Sequence, residues 1–230
     1  EINFVITEIM QNPSEVQDSY GEWFEIFNAG TIDIDLEGWV IRDNGDDYHT
    51  ISAPLPLGAG EYVVLGNNSD FSTNGGVNVD YQYASDFSLG NGSDELFLIA
   101  PDGITIDSVA WDNGATFPDP NGASMALIDT ELDNSVGSNW TASTMPYGDG
   151  DLGSPGMPNF SGDIDLALTT LDFGTVNAGD SASVSLSIYN LGLGSLSIES
   201  ITSNSPFFQP LVSSGTISSG DSLAVDITFT

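Results

Sequence analysis

Ser183-Val184-Ser185-Leu186-Ser187-Ile188 is the stretch whose reading decides the fold. Aliphatic residues take every second position and serine fills the places between. An extended chain sets the three aliphatic side chains on one side and the three serines on the other, whereas a helix would scatter both sets. The pattern predicts a strand with one wet face and one buried face. Leu196 and Ile198 repeat it, and Leu223, Val225, Ile227 and Phe229 carry it again near the end of the chain.

The same alternation, rich in β-branched and aromatic residues, marks residues 2–10, 22–28, 36–43, 48–52, 61–66, 95–100, 104–111 and 123–128. Turn chemistry lies between these runs. Asn12-Pro13-Ser14 follows the first, and Asn44-Gly45, Pro101-Asp102-Gly103 and Asn113-Gly114 favour tight hairpins. Helix signals are nearly missing, and turns recur about every eight to twelve residues, the spacing of a two-layer sandwich. Residues 67–93 are weakly patterned and rich in Asn, Ser, Gly and Asp, which predicts a long surface excursion with one short strand near 79–83. From 134 to 162 periodicity dies away, and the stretch Asp149 to Asn159 reads as a closing strap or linker with a domain boundary near Ser161.

Two domains are therefore expected, 1–160 and 163–230. The second has room for four or five strands, where a seven-stranded sandwich needs roughly 100 residues. It also stops on the strand tip Phe229-Thr230. The expectation is that the chain is truncated inside this domain, leaving 223–229 as an unpaired edge. At the other end it starts at Glu1 with neither methionine nor a signal-like segment, as a processed chain does.

Composition removes several classes of function. Among 230 residues there are 34 acids, one cation (Arg42) and no lysine, for a net charge of −33. Nucleic acid is bound chiefly through Lys and Arg on phosphates, so no nucleic-acid partner is expected. Anionic membrane surfaces repel such a chain, and no apolar run has the length of a membrane span, so no membrane insertion is expected either. Cysteine is absent, which excludes thiol chemistry, zinc fingers, iron–sulfur clusters and disulfides. With 40% hydrophobic residues the chain can still bury real cores. Self-repulsion of this size is tolerable where salt screens it or cations condense on it, which points to a salty or calcium-rich exterior.

Two resemblances sharpen the fold. Ile6-Thr7-Glu8-Ile9-Met10 with Asn12-Pro13, Gly21-Glu22-Trp23-Phe24-Glu25-Ile26-Phe27-Asn28, Leu36-Glu37-Gly38-Trp39-Val40-Ile41-Arg42-Asp43 and Gly60-Glu61-Tyr62-Val63-Val64-Leu65 occur in this order. With the closing Gly153-Ser154-Pro155-Gly156-Met157-Pro158-Asn159, they make residues 1–160 resemble the lamin tail domain in its secreted bacterial form. Leu171-Asp172-Phe173-Gly174-Thr175-Val176, Gly179-Asp180-Ser181, Tyr189-Asn190-Leu191-Gly192 and Pro206-Phe207 are similar to the start of choice-of-anchor or hydin-like immunoglobulin repeats. The resemblances imply an all-β chain of two immunoglobulin-like β-sandwich domains in tandem, the second incomplete. They also imply extracellular or scaffold modules with no family-wide catalytic residue. Some lamin tail domains contact DNA or chromatin, which the charge here argues against. The function expected is a non-catalytic structural or adhesive module of a secreted or cell-surface bacterial protein, its partners being neighbouring domains or a surface protein or glycan. The alternative is a glycan-binding module, assisted by calcium, accessory to an enzyme elsewhere in the full chain.

Candidate chemistry is sparse. His49, the single histidine, falls in a strand with no nucleophile-elbow sequence nearby, and reads as a surface strand residue. Glu22 and Glu25 flank Trp23, and one of them is expected to meet Arg42 on a neighbouring strand. Calcium takes six to eight oxygens, and two loops offer carboxylates: Asp43, Asn44, Asp46 and Asp47 in one, Asp149 and Asp151 in the other. The second is favoured because the strap shows no other anchors; neither matches an EF-hand loop. Trp23 and Trp39 read as core. Trp111 and Trp140, at a strand end and in an irregular segment, are candidates for stacking on sugar rings.

Overall fold

The computed structural model describes residues 2–160, 162–192 and 194–230. The chain divides into two compact units, Glu1–Asn159 and Phe160–Thr230. Ser161, near which a boundary is expected, lies outside the described residues. The structure is nearly all β, as the alternation predicts. Among the described residues no helix is long and apolar enough to cross a membrane.

The first unit runs β1 (Phe4–Met10), α1 (Asp18–Gly21), β2 (Trp23–Asn28), β3 (Ile34–Asp35), β4 (Val40–Arg42), β5 (Tyr48–Thr50) and β6 (Pro56–Leu57). It continues with β7 (Tyr62–Gly66), β8 (Tyr81–Gln82), β9 (Ser93–Ile99), β10 (Thr105–Asp112), β11 (Met125–Leu127) and β12 (Trp140–Ala142). A six-stranded sheet has the order β12-β11-β1-β2-β7-β8 and a four-stranded sheet the order β10-β9-β4-β5, with β3 and β6 forming a small ribbon. Between the two larger sheets lies one core. Phe24, Ile26 and Leu65 from the first meet Ile41, Leu98 and Val109 from the second. Phe4 packs on Trp39 with ring centroids 5.1 Å apart. Burying side chains of this size stabilises by about 1.5–3 kcal/mol each, which makes this layer the main source of order.

Local turn chemistry explains two of the connections. Gly103 closes the β9–β10 hairpin at φ 87°, and Asn113 and Gly114 both sit in the left-handed region, at 56° and 76°. Asn113-Gly114 reverses the chain after β10, but no strand follows to complete a hairpin. Asn44-Gly45 differs as well. β4 and β5 do form a hairpin, with Arg42 opposite Tyr48, but the connection spans residues 43–47. The Asp43 carboxylate accepts from the Asp47 amide at 3.1 Å, so an Asp side chain closes the loop in place of a two-residue turn.

Residues 67–93 correct the expectation of a surface excursion. A short strand, β8, is present, yet Val77, Tyr83, Phe87 and Leu89 are all buried. Tyr83 stacks on Phe24 with centroids 5.9 Å apart. Each of these residues enters the interior from irregular backbone, so their spacing follows neither period. Asn74, itself buried, secures the loop by donating to the Asn68 and Val77 carbonyls and accepting from the Gly76 and Val77 amides.

The second unit contains β13 (Ile164–Leu166), β14 (Ala182–Asn190), β15 (Leu196–Ile198), β16 (Phe208–Pro210), β17 (Gly215–Ile217) and β18 (Ser222–Phe229). Its main sheet has the order β13-β14-β18-β16, and β15 pairs with β17. Ile188, Ile217 and Val225 form its buried centre, flanked by Leu196, Ile198 and Ile227. The serines at 183 and 185 are exposed, as the alternation requires. β18 is no edge, however. It pairs with β14 along its length and with β16 through Phe208, Gln209 and Pro210. β16 is three residues long and carries a proline, too weak a signal to be recognised as the partner.

Candidate functional site

The outer face of the six-stranded sheet is where this unit departs from a simple sandwich. Met10, Trp23 and Val64 point to that face and are buried with Val77 and the ring of Tyr147. The Trp23 indole donates to the Tyr147 hydroxyl at 3.2 Å. A strap, residues 143–159, crosses this face. It is tied to the sheet edge by Ser143 N to Ser124 O and Ser124 N to Leu152 O, and to the 74–76 loop by Asp149 N to Gly75 O. Both faces of β1 and β2 are thereby covered, and the acids that alternation sends outward, Glu8 and Glu25, are fully buried instead.

These two acids face each other across β1 and β2, next to a bulge at Thr7. Their oxygens hold the strap. Glu8 Oε1 accepts from the Ser154 amide at 2.9 Å and from the Ser124 hydroxyl. Glu25 Oε2 accepts from the Gly156 amide at 2.7 Å, and Oε1 from the Thr7 hydroxyl at 2.7 Å. Asn159 completes the lock by donating to the Thr7 carbonyl at 2.7 Å and the Leu127 carbonyl at 3.1 Å.

Ser154 Oγ lies 3.0 Å from Glu8 Oε2 and 3.1 Å from Asn159 Oδ1, so its one hydroxyl proton is shared between two acceptors. Burial pushes Glu8 up to about 7 against the lowering effect of its Ser124 and Ser154 bonds. Burial, and then the charge of Glu8, raise Glu25 well above the ordinary carboxylate range.

The residues singled out in the sequence fall elsewhere. Asp151 is buried but wholly engaged: its carboxylate accepts from the Ser14 hydroxyl at 2.6 Å and from the amides of Ser14 and Glu15 at 3.1 and 3.3 Å. It pins the strap to the Asn12-Pro13-Ser14 turn, while Asp149 is exposed. The strap thus has several anchors, contrary to the reasoning that favoured calcium there. Asp43 closes its own loop, Asp47 accepts from the Ser88 amide and hydroxyl at 2.9 and 2.8 Å, and Asp46 is exposed. Among the described residues, no group of three or more His, Cys, Asp or Glu is placed to hold a metal.

Arg42 meets neither Glu22 nor Glu25. Its guanidinium donates to the Asp43 carbonyl at 2.6 Å and lies 4.9 Å from the centroid of Phe97. Both acids belong to the first unit's interior, out of reach of the β4 surface. His49 pairs with Asp86 at 3.0 Å and with the Tyr81 hydroxyl at 2.8 Å, which ties β5 to the 81–86 segment. Trp23 and Trp39 are core, as expected. Trp111 and Trp140, the candidates for sugar stacking, are core too: they are 3% and 5% exposed, and their indoles donate to the Gly90 and Asn134 carbonyls. Trp111 occupies an inward position of β10, and Trp140 opens β12 against Phe117. Glu8, Ser154 and Asn159 escaped the sequence reading. The available signal was an acid two residues before the outward Met10, in a strand apolar on both faces.

This fold defines a class, the tandem immunoglobulin-like all-β chain, and the comparisons agree. Residues 2–113 match the Lamin Tail Domain model, and residues 162–230 match the HYDIN/CFA65/VesB-like, Ig-like domain. No curated protein matches the chain. A solved protein of unknown function from Porphyromonas gingivalis W83 is similar at 14% identity and a TM-score of 0.27, over 90% of this chain and 74% of that one. An exo-chitosanase from Amycolatopsis orientalis is similar at 11% identity and a TM-score of 0.23, over 95% of this chain and 23% of that one. Likenesses this slight carry no argument about function. Domains of the matched kinds suggest a structural module.

Proposed function

We propose that the chain is a non-catalytic structural module of a secreted or cell-surface bacterial protein, holding neighbouring domains apart and presenting its loops to surface partners. The observation that carries this reading is the use made of the buried acids. A hydrolase needs carboxylates free to exchange protons with a substrate. Glu8 and Glu25 instead spend their oxygens on Ser124, Ser154, Thr7 and Gly156, fastening a strap over a sheet. The acidic coat supports an exterior setting, because a net charge of −33 is least destabilising in salt. Trp111 and Trp140 are buried, so neither favours the glycan reading.

The test is a panel of glycosidase, esterase and peptidase substrates run on the purified chain, beside single-molecule pulling of the same chain. No turnover and a cooperative unfolding event are expected. Turnover abolished by Glu25→Gln would overturn the proposal.

A further inference from the structure

The main sheet of the second unit ends on β13, and among the described residues no strand pairs with its outer side. Ladder geometry decides which backbone groups lie open there. The Leu191 amide donates to the Asp163 carbonyl at 2.7 Å, and the Ala167 amide to the Ser187 carbonyl at 3.1 Å. Antiparallel pairing alternates, so residues 163, 165 and 167 direct their backbone groups to β14 while Ile164 and Leu166 turn theirs outward. Each of those two offers an amide and a carbonyl to a further strand. At the opposite edge β16 is blunted by Pro210, whereas β13 contains neither proline nor lysine.

The side chains carry a second pattern. Leu166 lies opposite Ile188, a buried core residue, so Leu166 and Ile164 share the core face of the sheet. The core stops short of them: Ile164 is 56% exposed and Leu166 41%. Asp163 and Asp165 alternate with them, share the opposite face and are exposed. A strand added here would extend the apolar layer with every second residue and set the residues between beside the two aspartates. A second copy of this chain is disfavoured, because two β13 edges would bring aspartate against aspartate. The single cation of the chain, Arg42, is engaged over Phe97, so basic residues must come from another polypeptide.

We propose that β13 is a docking edge for an extended segment of another protein in which apolar and basic residues alternate. Backbone hydrogen bonds to Ile164 and Leu166 set the register, the apolar side chains of the segment cover those two residues, and its Lys or Arg side chains meet Asp163 and Asp165. Two open positions pair weakly with any strand, so the side-chain pattern decides which one stays. The edge would serve a structural module or any other, and its failure leaves the activity panel above untouched.

The experiment titrates the whole chain into a short fluorescent peptide of alternating lysine and valine, its ends blocked, at physiological ionic strength. Saturable one-to-one binding is expected, with slowed hydrogen exchange at the Ile164 and Leu166 amides. A peptide of the same composition with its valines in one block reports general attraction to the acidic surface; it should bind more weakly and leave that exchange fast. Asp163→Asn combined with Asp165→Asn should weaken the alternating peptide about two- to thirtyfold, the worth of two cross-strand charge pairs. Leu166→Pro removes one open amide from an edge position that accepts proline, and should abolish saturable binding. The aspartate variant serves alone if this one does not fold. No binding, equal binding of the block peptide, binding unchanged in the folded variants, or binding with both amides still fast would overturn the proposal. So would sedimentation showing that the chain alone dimerises with those amides protected, which would give the edge to a second copy.

Discussion

Glu8 is fully buried beneath the strap, and burial raises its carboxyl to about 7 although Ser124 and Ser154 donate to it. A pH dependence follows. Acids whose folded values are raised contribute stability that is fully present below their unfolded value near 4.5 and lost as pH rises through the folded one. The window here runs from about 4.5 to about 7 for Glu8 and about 8 for Glu22. The melting temperature should fall across it, with Glu8 alone accounting for up to about 3 kcal/mol. Glu8→Gln mimics the protonated acid and can donate to Ser154. Urea unfolding of this variant should match the parent within about 1 kcal/mol at pH 5 and exceed it at pH 8. A variant weaker than the parent at pH 8 would refute the raised value of Glu8.

At the scale of elements, the strap depends on close backbone approach. Gly148 has φ 46° and Gly76 φ 82°, and a Cβ at either would collide with the backbone of the other's segment. Gly148→Ala should therefore destabilise the first unit by about 2 kcal/mol or more, measured by chemical denaturation. Asn159→Ala leaves the Thr7 and Leu127 carbonyls without their donor, and is expected to cost about 1–3 kcal/mol. Hydrogen exchange at the Ser154 and Gly156 amides should quicken in that variant; unchanged exchange would mean that the strap is held without it. The long strands β1, β2, β9, β10, β14 and β18 were legible from period-two alternation. The 67–93 segment was not, because Val77, Tyr83, Phe87 and Leu89 are buried one by one from irregular backbone.

For the whole molecule, a charge of −33 dominates behaviour in solution. Adding sodium chloride should raise the melting temperature by a few degrees as repulsion is screened, and calcium chloride at matched ionic strength should raise it too. Flat curves in both salts would remove the screening argument. Because charge and pH act in the same direction, the two are separated by repeating the pH series in high salt, where the buried acids keep their slope and the surface loses its own.

Sequence alone determined the all-β class, from a period along the chain, and the absence of thiol chemistry, from composition; the two resemblances rested on ordered motifs. Tertiary structure decided what the buried residues do. Trp111 and Trp140 became core, and Asp151 became an anchor for Ser14. Glu8 and Glu25 became the clasp of a strap more than a hundred residues away in the chain. The physical reason is that alternation assigns a side chain to a face of its sheet, and only the packing of a distant segment determines whether that face meets water.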